Sequence, residues 1–135
     1  MLRKNITYTD YNGVTRSEDF YFNLSKAELM EMELGTSGGY AEMIQQIIDA
    51  KDAPSIMKIC KDIIMKAYGE RSADGKRFMK VDRDGYPLVN DFIQTEAYSI
   101  LFTEFATDAD FAASFINGIM PQDLVQSANL AAKNL

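Results

Sequence analysis

The sequence predicts an α+β fold, mainly α, in which an N-terminal β-hairpin packs on a bundle of about five helices. Two patterns predict it: apolar residues alternate in the first 24 residues and recur at helical spacing in later segments. A chain of 135 residues with 47% hydrophobic residues can also build one core. We expect one globular domain over residues 1–121, with the hairpin at 3–24 and helices at 25–121, followed by a flexible tail at 122–135.

The hairpin is predicted from two short stretches of alternating residues on either side of a turn signal. Ile6 and Tyr8 alternate with polar residues in the first stretch, and Phe20 and Phe22 do so in the second. Asn12-Gly13 between them tolerates the positive φ angles of a tight turn. An isolated hairpin is marginal in water, so this apolar face is expected to pack on the helices.

Two helices are predicted before residue 51. Ser25 and Glu28 form a capping box, from which a helix should run through Leu34 and stop at Gly35. After the loop GTSGG, a second helix is predicted at about residues 40–50, because apolar residues gather on one face.

The next helix has the clearest periodicity in the chain. It should begin near Pro54, which suits the first helical turn, and end near Tyr68-Gly69, with Gly as a C-terminal cap. Its apolar stripe, at spacings of three and four residues, contains Ile56, Ile59, Cys60, Ile63, Ile64 and Ala67.

After this helix, the sequence predicts a polar stretch followed by two helices. Residues 69–87 are rich in Gly, Asp and basic residues and predict a long loop, with a short extended piece at 77–81. A helix is predicted at about 89–106, and Asp108 should cap another that weakens at Gly118 and stops before Pro121.

These patterns also predict the core. Its expected members are Ile6, Tyr8, Phe20, Phe22, Ile44, Ile47, Ile48, Ile56, Ile59, Cys60, Ile63, Ile64, Leu101, Phe102, Phe105, Phe111, Phe115 and Ile116.

Charge is distributed unevenly along the chain, whose formal net charge is −6. Residues 51–83 hold 9 basic and 5 acidic residues, whereas residues 84–132 hold 7 acidic residues and no Lys or Arg. These segments could attract one another within the fold or pair between copies, so self-association is one expectation. Scattered solvated faces are the simpler alternative.

The composition excludes most catalytic chemistry, so we expect no enzyme, no cofactor and no metal. Without His there is no Ser-His-Asp catalysis, and the single Cys60 has no base and lies on an apolar stripe. The sequence Asp82-Arg83-Asp84-Gly85 lacks the spacing of a calcium loop and predicts a polar turn. The loop GTSGG lacks the Lys-Ser/Thr ending of a phosphate loop.

Two classes of partner are also disfavoured. An acidic chain does not suit general nucleic-acid binding, and no apolar run approaches the roughly 20 residues needed to span a membrane. We therefore expect neither nucleic acid nor membrane as partner. The mixture of cations and an aromatic ring around Arg77 and Phe78 is more consistent with a protein contact.

Three stretches of the chain form a recognisable order: NITYTDYNGVTRSEDFYFNLSKAELMEMEL, YGERSADGKRFMKVD and TEAYSILFTEFATDADFAASFINGIMP. With the segments between them they cover most of residues 3–121, and they resemble the tail assembly chaperones of long-tailed, siphovirus-type phages of Gram-positive bacteria. The resemblance implies a non-catalytic protein that binds the tape-measure protein, keeps it soluble and helps recruit tail tube protein. The expected contacts are Arg77 and Phe78 in the loop, and Leu124, Val125 and Leu130 in the tail.

The resemblance further implies location in the host cytoplasm, absence from the mature virion, and a longer form made by ribosomal frameshifting. Ala132-Lys133-Asn134 can be encoded by GCA-AAA-AAC, which contains the slippery heptamer A-AAA-AAC. Two alternatives stay open: a structural virion component, such as a head–tail connector or tail terminator-like ring subunit, and a phage protein sensed by host antiviral defence.

Overall fold

The computed structural model describes residues 1–35 and 53–121, and side chains for 1–31 and 53–121. In chain order the elements are β1 (Leu2–Thr9), β2 (Thr15–Phe22), α1 (Lys26–Gly35), α2 (Ala53–Ala67), β3 (Tyr68–Arg71), β4 (Phe78–Met79), α3 (Val89–Phe92), α4 (Glu96–Thr107) and α5 (Ala109–Ile119). The predicted α+β class is confirmed. The predicted helix at 40–50 and its core candidates Ile44, Ile47 and Ile48 lie outside the described residues, as do most of the GTSGG loop and the tail.

The N-terminal hairpin forms as predicted. Strands β1 and β2 pair antiparallel from Leu2↔Phe22 to Thr9↔Thr15. In the turn, Gly13 has a φ of 80°, whereas Asn12 keeps a negative φ. The amide of Gly13 donates to the carbonyl of Asp10, whose side chain accepts from the amides of Asn12 and Val14. One Gly therefore supplies all the left-handed backbone that this three-residue turn needs.

The two faces of the hairpin differ sharply. Ile6 and Phe22 are buried against the helices, and Tyr8 and Phe20 pack partly buried beside them. The opposite face carries a hydrogen-bonded row of polar side chains in which Asn5 donates to Asp19 and Ser17 donates to Asn5. This alternation is what predicted the strands, because each side chain points opposite to its neighbour.

The sheet is larger than predicted, with four strands in the order β1-β2-β3-β4. The prediction of a loop from residue 69 is wrong at β3, which pairs with β2 through Tyr21↔Gly69 and Phe22↔Tyr68. The extended piece predicted near residues 77–81 is present as β4, paired with β3. Four-residue and two-residue strands are too short to show alternation, so pairing with β2 decides their conformation.

The prediction that Gly69 caps helix α2 is wrong. Gly69 instead allows two strands to approach closely. Helix α2 ends at Ala67, and the chain enters β3 at once. A Cβ on Gly69 would lie 2.4 Å from Cε1 of Phe78 and 2.7 Å from the carbonyl oxygen of Met79. The absence of a side chain therefore makes room for the β3–β4 hairpin.

Helix α1 begins with the predicted capping box. The Ser25 amide donates to Oε1 of Glu28 at 3.0 Å, and the Glu28 amide donates to Oγ of Ser25 at 3.1 Å. Helix α2 presents its predicted stripe, with Cys60, Ile63, Ile64 and Ala67 buried. Ile56 and Ile59 are half-buried at the edge of the core, so the stripe is confirmed along its length.

The single helix predicted at 89–106 is wrong, because the structure divides it into α3 and α4. Oγ1 of Thr95 accepts from the amide of Tyr98 and starts a new helix there. Ala97, Leu101 and Phe105 then face the core, whereas Ile100 is exposed. A four-residue spacing from Ala97 excludes position 100 from the buried stripe.

The last described helix begins and ends as predicted, but it continues through Gly118, where it was expected to weaken. Oδ1 of Asp108 accepts from the amide of Phe111 at 3.1 Å, and α5 ends at Ile119, two residues before Pro121. Gly118 packs closely against Leu2 of β1. Helix α5 thereby holds the first strand against the helical layer.

The buried residues form one hydrophobic cluster between the sheet and the helices. All predicted core residues whose side chains are described are buried or packed against it. The list of core candidates omitted ten members of this cluster, although Ala67 was placed on the apolar stripe of its helix: Leu24, Leu29, Ala67, Tyr68, Val89, Phe92, Ala97, Ala112, Ile119 and Met120. Within the described residues, no helix is long and apolar enough to cross a membrane.

Gly69→Ala should destabilise the fold by about 1 to 3 kcal/mol, because the new methyl group meets a ring and a backbone carbonyl that cannot both move away. Urea unfolding followed by circular dichroism measures the loss.

Gly118→Ala is the matched control, since its methyl group would meet the flexible side chain of Leu2 at 2.9 Å and Ala favours a helix. Its stability should stay within about 1 kcal/mol of the parent protein. Equal losses in the two variants would contradict the close approach at Gly69.

Candidate partner-binding surface

The β3–β4 hairpin and the turn after it contribute to three grooves of the described surface. Grooves lie on both sides of this segment, which runs from Glu70 to Val89. Positive φ angles at Gly75 and Gly85 close the two turns that frame it. We call residues 70–89 the β3–β4 surface.

Lys80 fixes the base of this surface to three distant segments. Its Nζ donates to the carbonyl oxygens of Asn23 at 2.9 Å and Lys66 at 2.5 Å, and to Oε2 of Glu28 at 3.0 Å. These acceptors lie after β2, near the end of α2 and in the first turn of α1. One ammonium group with three donors therefore joins the sheet to both helices.

The environment of this ion pair shifts the pKa of both partners. Burial lowers the pKa of Lys80, against which Glu28 acts in the opposite direction. For Glu28, burial raises the pKa, but hydrogen bonds from Ser25 and Lys80 outweigh it and the net pKa is lowered. Glu28 thus serves at once as helix cap and counter-ion, and it is ionised at neutral pH.

An apolar groove of about 410 Å³ lies above this ion pair. Its apolar lining comes from the end of β2, from α2 and from the segment after β4: Leu24, Met65, Val81, Pro87 and Val89. Charged side chains of Glu28, Glu31, Lys66 and Lys80 complete it. Apolar walls with a charged rim suit one face of an amphipathic helix. We call this the Val81 groove.

The second groove on this surface, of about 440 Å³, shares Val81 and contains one of the predicted contact residues. Arg77 is exposed there, across from Leu88, and its backbone closes the turn with Ser72. Its neighbour Phe78 is half-buried over Gly69, with Nζ of Lys80 5.5 Å from the ring centre. The structure thus brings Arg77 to a groove and gives Phe78 a packing role.

The other predicted contacts, Leu124, Val125 and Leu130, lie outside the described residues, so their role stays a prediction. The sequence analysis missed Val81, Pro87 and Val89. Their signal was present as apolar residues on both sides of the charged turn Asp82-Arg83-Asp84. Lys80 gave no such signal, because its acceptors are 14, 52 and 57 residues away.

The candidates for chemistry have structural roles where the structure describes them. Burial raises the pKa of the Cys60 thiol to about 11, so the thiol is protonated and packs as a small apolar group. Oδ1 of Asp82 accepts from the amides of Asp84 and Tyr86, which confirms the predicted polar turn. Over residues 1–31 and 53–121, no cluster of His, Cys, Asp and Glu could hold a metal ion.

The predicted attraction between the basic and acidic segments is not seen as ion pairs among the described residues. Those that form are Lys4–Glu104, Arg16–Asp10 and Lys80–Glu28, and none joins residues 51–83 to 84–132. Pairing between copies stays a prediction.

The comparison with protein families gives a match over nearly the whole chain. A family model described as phage tail assembly chaperone matches residues 1–134. Neither the search of curated proteins nor the search of solved structures finds a match.

Glu28→Gln should keep the helix cap but lose the ion pair with Lys80, at a cost of about 1 kcal/mol at pH 7. Since the pKa of Glu28 is lowered below its ordinary 4.5, its ionised form stabilises the fold at neutral pH. That contribution is lost as the pH falls through the folded pKa. The stability difference between parent and variant should therefore shrink in acid, as measured by urea unfolding at several pH values.

Glu31→Gln removes a carboxylate from the same helix and serves as the control, with no change expected at any pH. A Glu28→Gln loss that persisted unchanged at pH 3 would contradict the role given to the charge.

Proposed function

Because the chain belongs to the phage tail assembly chaperone family, we propose that it binds the tape-measure protein, keeps it soluble and assists assembly of the tail tube. The match over residues 1–134 carries this proposal. Membership of a chaperone family suggests a non-enzymatic role. The resemblance of the three sequence stretches supports the finer parts of the proposal. These are the tape-measure and tail tube proteins as partners, a siphovirus-type phage and a Gram-positive host.

The Val81 groove is the surface that we propose for the client. A tape-measure protein is long and rich in amphipathic helices, which aggregate unless their apolar faces are covered. The groove offers apolar walls from Met65 to Val89 and charges of both signs at its rim. An amphipathic helix could bury its apolar stripe there and keep its polar face in water.

Many copies along one client would strengthen such binding. One Val81 groove contacts only a few turns of a helix. A long client therefore extends well beyond it, since each further residue adds 1.5 Å of helix. Several chaperone molecules on one long client gain from avidity, and contacts between neighbouring copies would add to it. This expectation follows from the length of the client.

The place and time of action form part of the same proposal. The protein would act in the cytoplasm of the infected host and leave before the virion is complete. Frameshifting at Ala132-Lys133-Asn134 would supply a longer form, which requires the codons GCA-AAA-AAC.

Mass spectrometry of purified virions should find no peptides of this chain, because a chaperone is released as the tail is completed. Tail tube protein in the same sample provides the positive control. Stoichiometric amounts of the chain in virions would instead favour a structural component, such as a connector or ring subunit.

Co-expression with the tape-measure protein of the same phage should bring the client into the soluble fraction and allow the two to co-purify. Val81→Asp should reduce the co-purified client about tenfold, since it places a charge in the apolar groove. Quantified gels of the soluble and bound fractions measure both effects.

Ile100→Asp is the matched control, because Ile100 is 42% exposed and Val81 is 48% exposed, but Ile100 lies on α4 away from the groove. It should leave co-purification unchanged. An insoluble, unbound client with the parent protein would contradict the proposed function. Equal binding by Val81→Asp would contradict only the placement of the client.

A further inference from the structure

Within the part of the chain that the structure describes, the outer edge of β2 has no strand partner over most of its length. The ladder with β3 covers only Tyr21 and Phe22, whereas the ladder with β1 covers all eight residues of β2. Past Tyr21, the strand Thr15–Phe20 continues without a strand partner on this side among the described residues. The two hairpins diverge there.

The direction of the backbone groups along this edge follows from two hydrogen bonds. The Asn23 amide donates to the Ala67 carbonyl on the β3 side, and the Asp10 amide donates to the Val14 carbonyl within the first hairpin. In an antiparallel ladder, alternate residues direct their N–H and C=O groups to the same side. The backbone groups of Thr15, Ser17 and Asp19 therefore point away from β1, toward the open edge.

A groove of about 740 Å³ runs along this edge, between β2 and the turn after β3. Its walls include Glu18 to Tyr21 on one side and Glu70 to Gly75 on the other. Three residues with outward, unpaired backbone groups, and a cleft beside the Glu18–Tyr21 part of the strand, are the features that an added strand requires.

The negative charge of this groove indicates the kind of partner that fits it. Its lining contains four carboxylates and one cation: Glu18, Asp19, Glu70, Asp74 and Arg71. The guanidinium of Arg71 is already engaged, since it donates to the hydroxyl of Tyr21 at 3.0 Å and stacks on that ring. Arg16, the one cation within Thr15–Asp19, is likewise engaged, since its Nε lies 2.7 Å from Oδ2 of Asp10.

We propose that the β2 edge binds an extended, basic segment of a partner protein, which adds as a strand beside Thr15–Asp19. Main-chain hydrogen bonds to Ser17 and Asp19 provide the pairing. Carboxylates on both faces of the strand, Asp19 on the solvent face and Glu18 on the helix face, then favour lysine or arginine side chains. This site differs from the Val81 groove and does not depend on the tape-measure proposal.

The test uses the full chain and a blocked heptapeptide of alternating lysine and threonine, followed by NMR titration. The lysine peptide should bind, and a glutamate–threonine peptide of equal length should not. Binding should slow amide hydrogen exchange at Ser17 and Asp19, because their N–H groups become paired. Failure of the lysine peptide to protect these amides would overturn the proposal, and co-purification of the tape-measure protein is measured separately.

Two variants with controls locate the site. Ser17→Pro removes one outward N–H, which proline permits at a strand edge, and Ser17→Ala removes only the hydroxyl. The proline variant should bind the lysine peptide about tenfold more weakly than the alanine variant, with unchanged circular dichroism. The side chain of Glu70 has no hydrogen bond or ion pair in the described part of the chain, so Glu70→Gln tests its charge, leaves the ladder with Met79 in place and should weaken binding several-fold.

Three results would each overturn the proposal. They are equal affinity of Ser17→Pro and Ser17→Ala, undiminished affinity of Glu70→Gln, and a dimer of the parent protein that Ser17→Pro dissociates. The last result would assign the edge to a second copy of the chain.

Discussion

The packing of the Phe22 ring is the contact on which the rest of the structure depends. This ring is fully buried at the end of β2 and contacts Tyr68 of β3, Phe92 of α3 and Phe115 of α5, with ring centroids 5.8, 5.9 and 5.1 Å apart. Edge-to-face aromatic pairs add directional preference to the hydrophobic effect. One side chain therefore aligns the hairpin, the short third strand and two helices.

Elements with local signals could be predicted from the sequence, whereas elements that depend on distant contacts could not. The hairpin, the capping box at Ser25 and the Asp108 cap carry their signals within a few residues, and all three form as predicted. Strands β3 and β4 carry no comparable signal. They exist because Tyr68 and Gly69 pair with β2, more than forty residues earlier in the chain. Non-local pairing of this kind is invisible to a periodicity argument.

The candidate surface likewise has a part that could be predicted from the sequence and a part that could not. The mixture of cation and ring at Arg77 and Phe78 located the correct segment, but the structure gives the ring to packing over Gly69. Lys80 was indistinguishable from its exposed basic neighbours, although its ammonium group is the one that joins β2, α1 and α2. Its role depends on carbonyl groups that the fold assembles from distant segments. A buried charge is predictable only when its partners are known.

The grooves are physically connected through the β3–β4 hairpin. Ser72, Ala73 and Met79 line both the acidic groove along β2 and the groove that contains Arg77, which in turn shares Val81 with the Val81 groove. The ladder of the β3–β4 hairpin is short, since it contains only two residue pairs. A side chain that moves on one side therefore changes the wall on the other. Lys80 limits such movement at the base, because its hydrogen bonds tie the hairpin to the core beneath Phe22.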